Sequence, residues 1–217
     1  SGSKIISGSD VDVDDLTYNI TGGSDITASL SGSDVSFSAP ANYNGSESFT
    51  VSVTDGTETD SQSITVTVNA VNDAPVATAG LSGATDEDQS TVVTLSGSDV
   101  DGDNLTFSVG SATNGTLELN GSLVTYTPDA NYNGSDSFDF TVSDGTESST
   151  ETVTLTVSAV NDAPVLATVS DVSFDEDGSG SKIISGSDVD VDDLTYNITG
   201  GSDITASLSG SDVSFSA

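Results

Sequence analysis

The chain contains no cysteine, histidine, methionine or tryptophan, and its only basic residues are Lys4 and Lys182. Without cysteine there are no disulfide staples and no thiol chemistry. Without histidine, Ser–His triads, the usual haem ligation and typical zinc sites are excluded as well. Two lysines make no basic face for phosphates, which excludes ordinary nucleic-acid binding and docking on anionic membranes. No apolar run approaches the ~18 residues of a membrane span, so no direct membrane insertion is expected. No leader-like segment opens the chain, and the start, SGSKIISGSD, reads as the middle of something longer.

Acidic residues dominate what is present. Of 217 residues 35 are acidic, 28 of them Asp and seven Glu, and the net charge is -33. Helical surfaces favour Glu, whereas loops, caps and hard-cation sites favour Asp. Low hydrophobicity with high net charge ordinarily means disorder. Here, however, Val, Ile, Leu, Phe and Tyr alternate with Ser, Thr and Asp, which is the pattern of half-buried strands.

The sequence repeats. VNDAPV stands at 71–76 and 160–165, NYNGS at 42–46 and 131–135, and DED at 86–88 and 175–177, each at an offset of 89 residues. Residues 1–39 and 179–217 are identical, at an offset of 178. The parent chain therefore alternates two repeat types. With VNDAP as the linker, residues 1–73 are a partial repeat lacking its first strand and 74–162 a complete one. Residues 163–217 are a partial repeat lacking its last strands.

The complete repeat yields seven candidate strands: an irregular one over 76–84, then 90–97, 104–110, 115–121, 122–128, 136–145 and 151–160. Leu105, Phe107 and Val109 share a face, as do Val124 with Tyr126, Phe138 with Phe140 and Val142, and Val153 with Leu155 and Val157. Asn120-Gly121 predicts a tight type I′ hairpin, and Tyr43 and Tyr132 are expected as core anchors beside NYNG turns. Short alternating strands with turn signals about every ten residues predict an all-β fold of tandem antiparallel β-sandwich domains.

Aspartate clusters where the alternation marks loops: Asp86, Glu87 and Asp88; Asp99, Asp101 and Asp103; Asp144; and Asn161 with Asp162. Converging carboxylates repel one another and call for a cation. Ca²⁺ takes six to eight oxygens from carboxylates, carbonyls and amides. DVDGDN (99–104) begins like an EF-hand loop but fails further on, with Asn104 at the glycine position and Gly110 at the glutamate position.

VNDAPV, DED, SDVDGDNLTFSV and VSDGTESSTETVTLTV, in this order, resemble cadherin repeats. They resemble more closely the cadherin-like or immunoglobulin-like tandem repeats of large secreted bacterial adhesins, of RTX/VCBS type. The resemblance covers essentially the whole chain and implies calcium between consecutive domains. By position, the junction at 160–164 would use Glu87, Asn161, Asp162, Asp188 and Asp190. The junction at 71–75 would use Asn72, Asp73, Asp99, Asp101 and Asp144, with Asp103 in the same acidic loop. Asp10, Asp12 and Asp55 would face a linker outside the 217 residues. The cadherin Asp-Arg-Glu motif has no clear counterpart; Asp129 sits near its place and is Pro40 in the other repeat, so fewer ions per junction are allowed for.

Acid-rich loops also occur as merely solvated turns. Paired carboxylates also serve glycosidases, but here they recur at linkers rather than in one cleft, so no enzyme is expected. The sequence reads as a non-enzymatic, calcium-stabilised extender of a long extracellular adhesin or surface fibre. Its partners are neighbouring repeats of the same chain and, in a fibre, sister chains. The alternative is a self-associating filament or biofilm-matrix module, or a glycan-binding one. Absence of tryptophan weighs against glycans.

Overall fold

The structure, a computed structural model, describes residues 2–12 and 14–216. All its regular elements are strands, and no helix occurs among the described residues. Val, Ile, Leu and aromatic side chains turn one way and Ser, Thr and Asp the other, so each strand has a face to bury.

The first repeat supplies β1 (Gly2–Ile5), β2 (Thr17–Gly22), β3 (Thr27–Ser31), β4 (Asp34–Ser38), β5 (Gly45–Thr54) and β6 (Thr59–Val68). They form two antiparallel sheets, in the orders β1-β4-β3 and β2-β5-β6. The middle repeat supplies β7 (Val76–Ala77), β8 (Ser82–Asp86), β9 (Thr91–Thr94), β10 (Gly97–Ser98) and β11 (Thr106–Val109). It continues with β12 (Gly115–Asn120), β13 (Leu123–Pro128), β14 (Gly134–Ser143) and β15 (Ser148–Ser158). Its sheets run β12-β13-β9 and β11-β14-β15-β8, with β7 paired to β10. The third repeat supplies β16 (Val165–Leu166), β17 (Ser179–Ile183), β18 (Gly186–Ser187), β19 (Thr205–Ser209) and β20 (Asp212–Ser216), paired as β16-β18 and β17-β20-β19.

By contacts the chain divides into two compact units. One holds the residues up to Thr78 with Ser96–Phe107 and Thr141–Thr150. The other holds Ala79–Leu95, Ser108–Phe140 and the residues from Glu151 onward.

The alternation locates the core well. Val124, Tyr126, Phe138, Phe140, Val142, Val153, Leu155 and Val157 are all buried, each contributing about 1.5–3 kcal/mol relative to exposure. Val92 and Val93 split as neighbours on a strand must, 58% and 5% exposed. Three details differ from the sequence reading. The segment 76–84 yields two short strands, and β8 pairs with β15 parallel, from Thr154↔Ser82 to Ser158↔Asp86. Parallel and antiparallel edge strands show the same alternation, so the pattern alone could not separate them. The hairpin after β12 falls one residue later than expected. Asn120 is still in the ladder, opposite Leu123, and the two-residue loop is Gly121–Ser122. Gly121 takes the positive φ of 64°, which falls at the first loop position as in a II′ turn rather than at Asn120. Finally, Tyr132 is half-buried, donating its hydroxyl to the Ser135 carbonyl at 2.7 Å; Tyr43 is half-buried too, and the core tyrosine is Tyr126.

Tyr126 owes its place to Asp136, which is itself buried. The Tyr126 hydroxyl donates to Asp136 Oδ2 at 3.0 Å, and the amides of Asn114, Thr113 and Ser137 donate to the same carboxylate. Burial pushes the Asp136 pKa up, but the Asn114, Ser137 and Thr113 amides and the hydroxyl outweigh it and hold it below the usual range. Glu47 does the same work in the first repeat, accepting from the amides of Ser24, Asp25 and Ile26 and from the Ser24 hydroxyl.

Candidate metal centre

At the 71–75 linker the acidic loop Asp99–Asp103 folds on itself. Asp99 Oδ1 accepts the amides of Asp101 at 2.8 Å and Asp103 at 3.4 Å. This turn gathers carboxylate oxygens of Asp99, Asp101 and Asp103 within 4.8 Å of one another. The linker docks onto the loop through its backbone: the Asp73 amide donates to Asp101 Oδ2 at 2.7 Å. Asn72 Nδ2 donates to Asp144 Oδ2 at 2.9 Å. Asp144 sits in the β14–β15 turn, where the Glu147 amide, the Asn72 side chain and the Thr146 amide hold its pKa below the usual range. All six residues assigned to this junction are thus connected.

At the 160–164 linker the ladder between β8 and β15 ends in Glu87 N–H donating to the Ser158 carbonyl at 2.9 Å. That register carries the Glu87 side chain, 3% exposed, to the linker, where Oε1 accepts the Val160 amide at 2.6 Å. Asp188 Oδ1 accepts the amides of Asp190 at 2.9 Å and Asp192 at 3.4 Å, and the Asp162 amide donates to Asp190 Oδ2 at 2.6 Å. Asn161 Nδ2 turns to the Asp162 carbonyl at 2.7 Å. Burial, and then the carboxylates of Asp190, Asp88, Glu87 and Asp188, push the Asp162 pKa up. Asp88, named among the clustered acids of the sequence but assigned to neither junction, belongs to this set. The DED motif was its signal, and its side chain accepts the Asn131 amide from the far side of the loop.

Asp10 repeats the same turn, accepting the amides of Asp12 at 2.6 Å and Asp14 at 3.4 Å. Asp55 caps its own turn by accepting from Thr57 and Glu58. Among the described residues no hydrogen bond joins Asp55 to Asp10 or Asp12, and neither holds a linker residue.

Two oxygens bear on whether a cation fits. Asp99 Oδ2 and Asp162 Oδ2 are buried and have no hydrogen-bond partner, one at each junction. A buried carboxylate oxygen without a donor is costly. The donor sets are wholly oxygen, from carboxylates, amide side chains and carbonyls, which suits a hard cation such as Ca²⁺ and not a thiophilic metal.

The family model for the bacterial Ig domain matches residues 2–68 and 72–157. The chain belongs to this family. The bacterial Ig chain is also similar to solved structures. Human protocadherin-24 EC1-2 aligns at 20% identity over 74% of this chain and 88% of that one, with a TM-score of 0.51. Drosophila N-cadherin EC1-3 aligns at 10% identity over 70% and 57%, with a TM-score of 0.36. An endo-fucoidan hydrolase of glycoside hydrolase family 107 aligns at 21% identity over 93% of this chain, with a TM-score of 0.36. The bacterial Ig chain spans 34% of the length of that hydrolase. At these identities the protocadherin likeness bears on the fold alone. No curated protein matches the chain.

Proposed function

We propose that the chain is a non-enzymatic extender: tandem bacterial Ig repeats whose acidic linkers are stiffened by Ca²⁺, within a long extracellular adhesin or surface fibre of RTX/VCBS type. The modules are the repeats 1–73, 74–162 and 163–217. Support comes from the unpartnered oxygens of Asp99 and Asp162, each beside a linker whose amide is tied to the downstream loop. At 71–75 Asn72, Asp73, Asp99, Asp101, Asp103 and Asp144 would hold the ion. At 160–164 Glu87, Asn161, Asp162, Asp188 and Asp190 would do so. Bound calcium would supply the positive charge that this acidic set lacks. Without it the carboxylates repel and the linker flexes about a few residues. Extracellular modules bind Ca²⁺ at about 10⁻⁴–10⁻³ M, so such linkers stiffen outside cells and stay soft in cytosol.

Small-angle scattering on the 217-residue chain tests the reading. Millimolar Ca²⁺ should lengthen and sharpen the distance distribution relative to EDTA. Superimposable profiles in the two buffers, with calorimetry showing no binding, would rule it out.

A further inference from the structure

The turn NYNGS at 131–135 places Asn133 directly before Gly134, and the middle repeat holds two more such pairs, Asn114-Gly115 and Asn120-Gly121. An asparagine side chain can be attacked by the amide nitrogen of the residue that follows it. Glycine permits this best, because it has no side chain to block the approach. The pairs share this chemistry, and the fold sorts them.

In the turn before β14, Gly134 has φ of 133°, and a Cβ there would come within 3.1 Å of the Tyr132 hydroxyl. The turn therefore demands glycine at 134. Its preceding residues are pinned. The Asn131 amide donates to Asp88, the Tyr132 amide to the Asp129 carbonyl, and the Tyr132 hydroxyl to the Ser135 carbonyl. Asn133 itself is exposed and lies outside any strand. Its Nδ2 reaches toward Glu87 Oε2 at 3.5 Å, the long limit of a hydrogen bond.

Asn114 is the opposite case. Its amide donates to Asp136 Oδ2 at 2.9 Å, and its carbonyl accepts from the Asp129 amide and the Tyr126 hydroxyl. Gly115 stands in the ladder opposite Pro128, and a Cβ there would lie 2.5 Å from both the Thr127 carbonyl oxygen and the Tyr126 ring. Closing a ring on Asn114 would turn this peptide into occupied space. Asn120 is held extended in the ladder opposite Leu123.

We propose that Asn133 is a site of spontaneous deamidation, placed so that its product charges the 160–164 linker. The Gly134 amide nitrogen gives its proton to base and bonds to Asn133 Cγ. The Cγ–Nδ2 bond breaks, and the nitrogen leaves as ammonia. The resulting succinimide ring takes up one water at either carbonyl and opens to aspartate or isoaspartate. Nothing is oxidised or reduced, and water is the only co-reactant. A neutral donor is thereby replaced by a carboxylate facing Glu87, which is 3% exposed and holds the Val160 amide. Like charges this close disfavour one another. Isoaspartate also adds a carbon to the main chain just ahead of β14. The first repeat carries the same turn at 42–46, so Asn44 has the same chemistry. The reaction needs no cation, so its failure would leave the calcium reading standing.

The test holds the 217-residue chain for days in mildly alkaline EDTA buffer, then cuts it after aromatic residues. Cuts after Tyr132 and Phe138 release residues 133–138, whose only asparagine is Asn133. Cuts after Phe107 and Tyr126 release 108–126, in which fragmentation separates Asn114 from Asn120. Mass spectrometry should find Asn133 converted, as aspartate and isoaspartate forms, at least about tenfold faster than Asn114. In urea the two rates should converge. Asn133→Gln should abolish the conversion at 133, and in EDTA Asn133→Asp should melt lower than Asn133→Gln. A rate at Asn133 no faster than at Asn114, or a preference that persists in urea, overturns the assignment. Equal melting of the two variants overturns the effect on the linker.

Discussion

The Asp162 amide donates to Asp190 Oδ2 at 2.6 Å, across 28 residues of chain. The Asp73 amide makes the same bond to Asp101 Oδ2, at 2.7 Å and the same separation. At both junctions the linker backbone, rather than its carboxylate, is tied to the downstream loop. The carboxylate of Asp162 is left among Asp190, Asp88, Glu87 and Asp188, one oxygen buried without a donor.

Asp162→Asn separates the two roles. A carboxyl whose folded pKa is raised favours the protonated folded state. Its contribution is therefore most favourable in acid and is lost as pH rises from the ordinary carboxylate pKa through the raised one. In EDTA at neutral pH, Asp162→Asn should melt higher than the parent and lose that pH dependence. In millimolar Ca²⁺ the order should reverse. Identical melting curves in EDTA across this range would show that the carboxylate is not under repulsion.

Asp99→Asn with Asp101→Asn should weaken calcium at the 71–75 linker by at least about tenfold, ~1.4 kcal/mol, and leave the sandwich folded. Titration calorimetry and amide spectra check the two halves of this. Both residues lie between β10 and β11, off the apolar face. Unfolding in saturating calcium would assign them to the domain's own stability.

Gly102 has φ of 78°, and a Cβ there would meet no atom within 4 Å. Val191, at the matching place in the third repeat, holds φ of 65° despite its branched side chain. Any cost of Gly102→Val is therefore backbone strain alone, about 1–2 kcal/mol. Val191→Gly should recover part of a similar amount at the other junction. Thermal melts of both variants in EDTA check this, and a neutral Gly102→Val would show that the loop relaxes freely.

Period-two patterning made the core of the middle repeat legible, because Phe138, Phe140 and Val142 can share a face only on a strand. It also placed Asp99, Asp101 and Asp188 in loops, where the structure finds them turned on themselves. It could not reveal that β8 runs parallel to β15, since strand direction leaves no mark on alternation. Asp136 was also hidden. In the sequence it is one acid in a run of Ser and Asp, and its role appears only when the Asn114 and Thr113 amides arrive from another loop. Ile26 and Ile204 mark the firmest limit. Their local sequences are identical, and only a distant strand distinguishes a buried residue from an exposed one.

Asp136→Ala should destabilise the middle repeat by about 3 kcal/mol, since three amides lose this acceptor together and the Tyr126 hydroxyl keeps only the Asn114 carbonyl, at 3.2 Å. Tyr126→Phe, which removes one of those four donors, should cost only about 1 kcal/mol. Denaturant unfolding compares them, and equal losses would mean that the hydroxyl alone carries the network.

Glu47 supplies the acid-side counterpart. The Asp25 amide, the Ser24 hydroxyl and the Ser24 and Ile26 amides lower its pKa to about 2, against the opposing effect of burial. A lowered folded pKa contributes stability above the ordinary carboxylate value and loses it as pH falls toward about 2. The parent should therefore lose more stability than Glu47→Gln across that interval, measured by denaturant midpoint at each pH. Parallel losses would remove Glu47 from the account.

The parallel pairing of β8 with β15 has a mechanical consequence. Pulled from its two ends, the middle repeat is loaded through the chain before β8 and the chain after β15. Because these strands run the same way, opposite pulls slide one along the other. The register from Thr154↔Ser82 to Ser158↔Asp86 then resists in shear, its bonds straining together, whereas the β14–β15 hairpin lies outside that line of force. A register loaded in this way parts as a unit rather than one bond at a time.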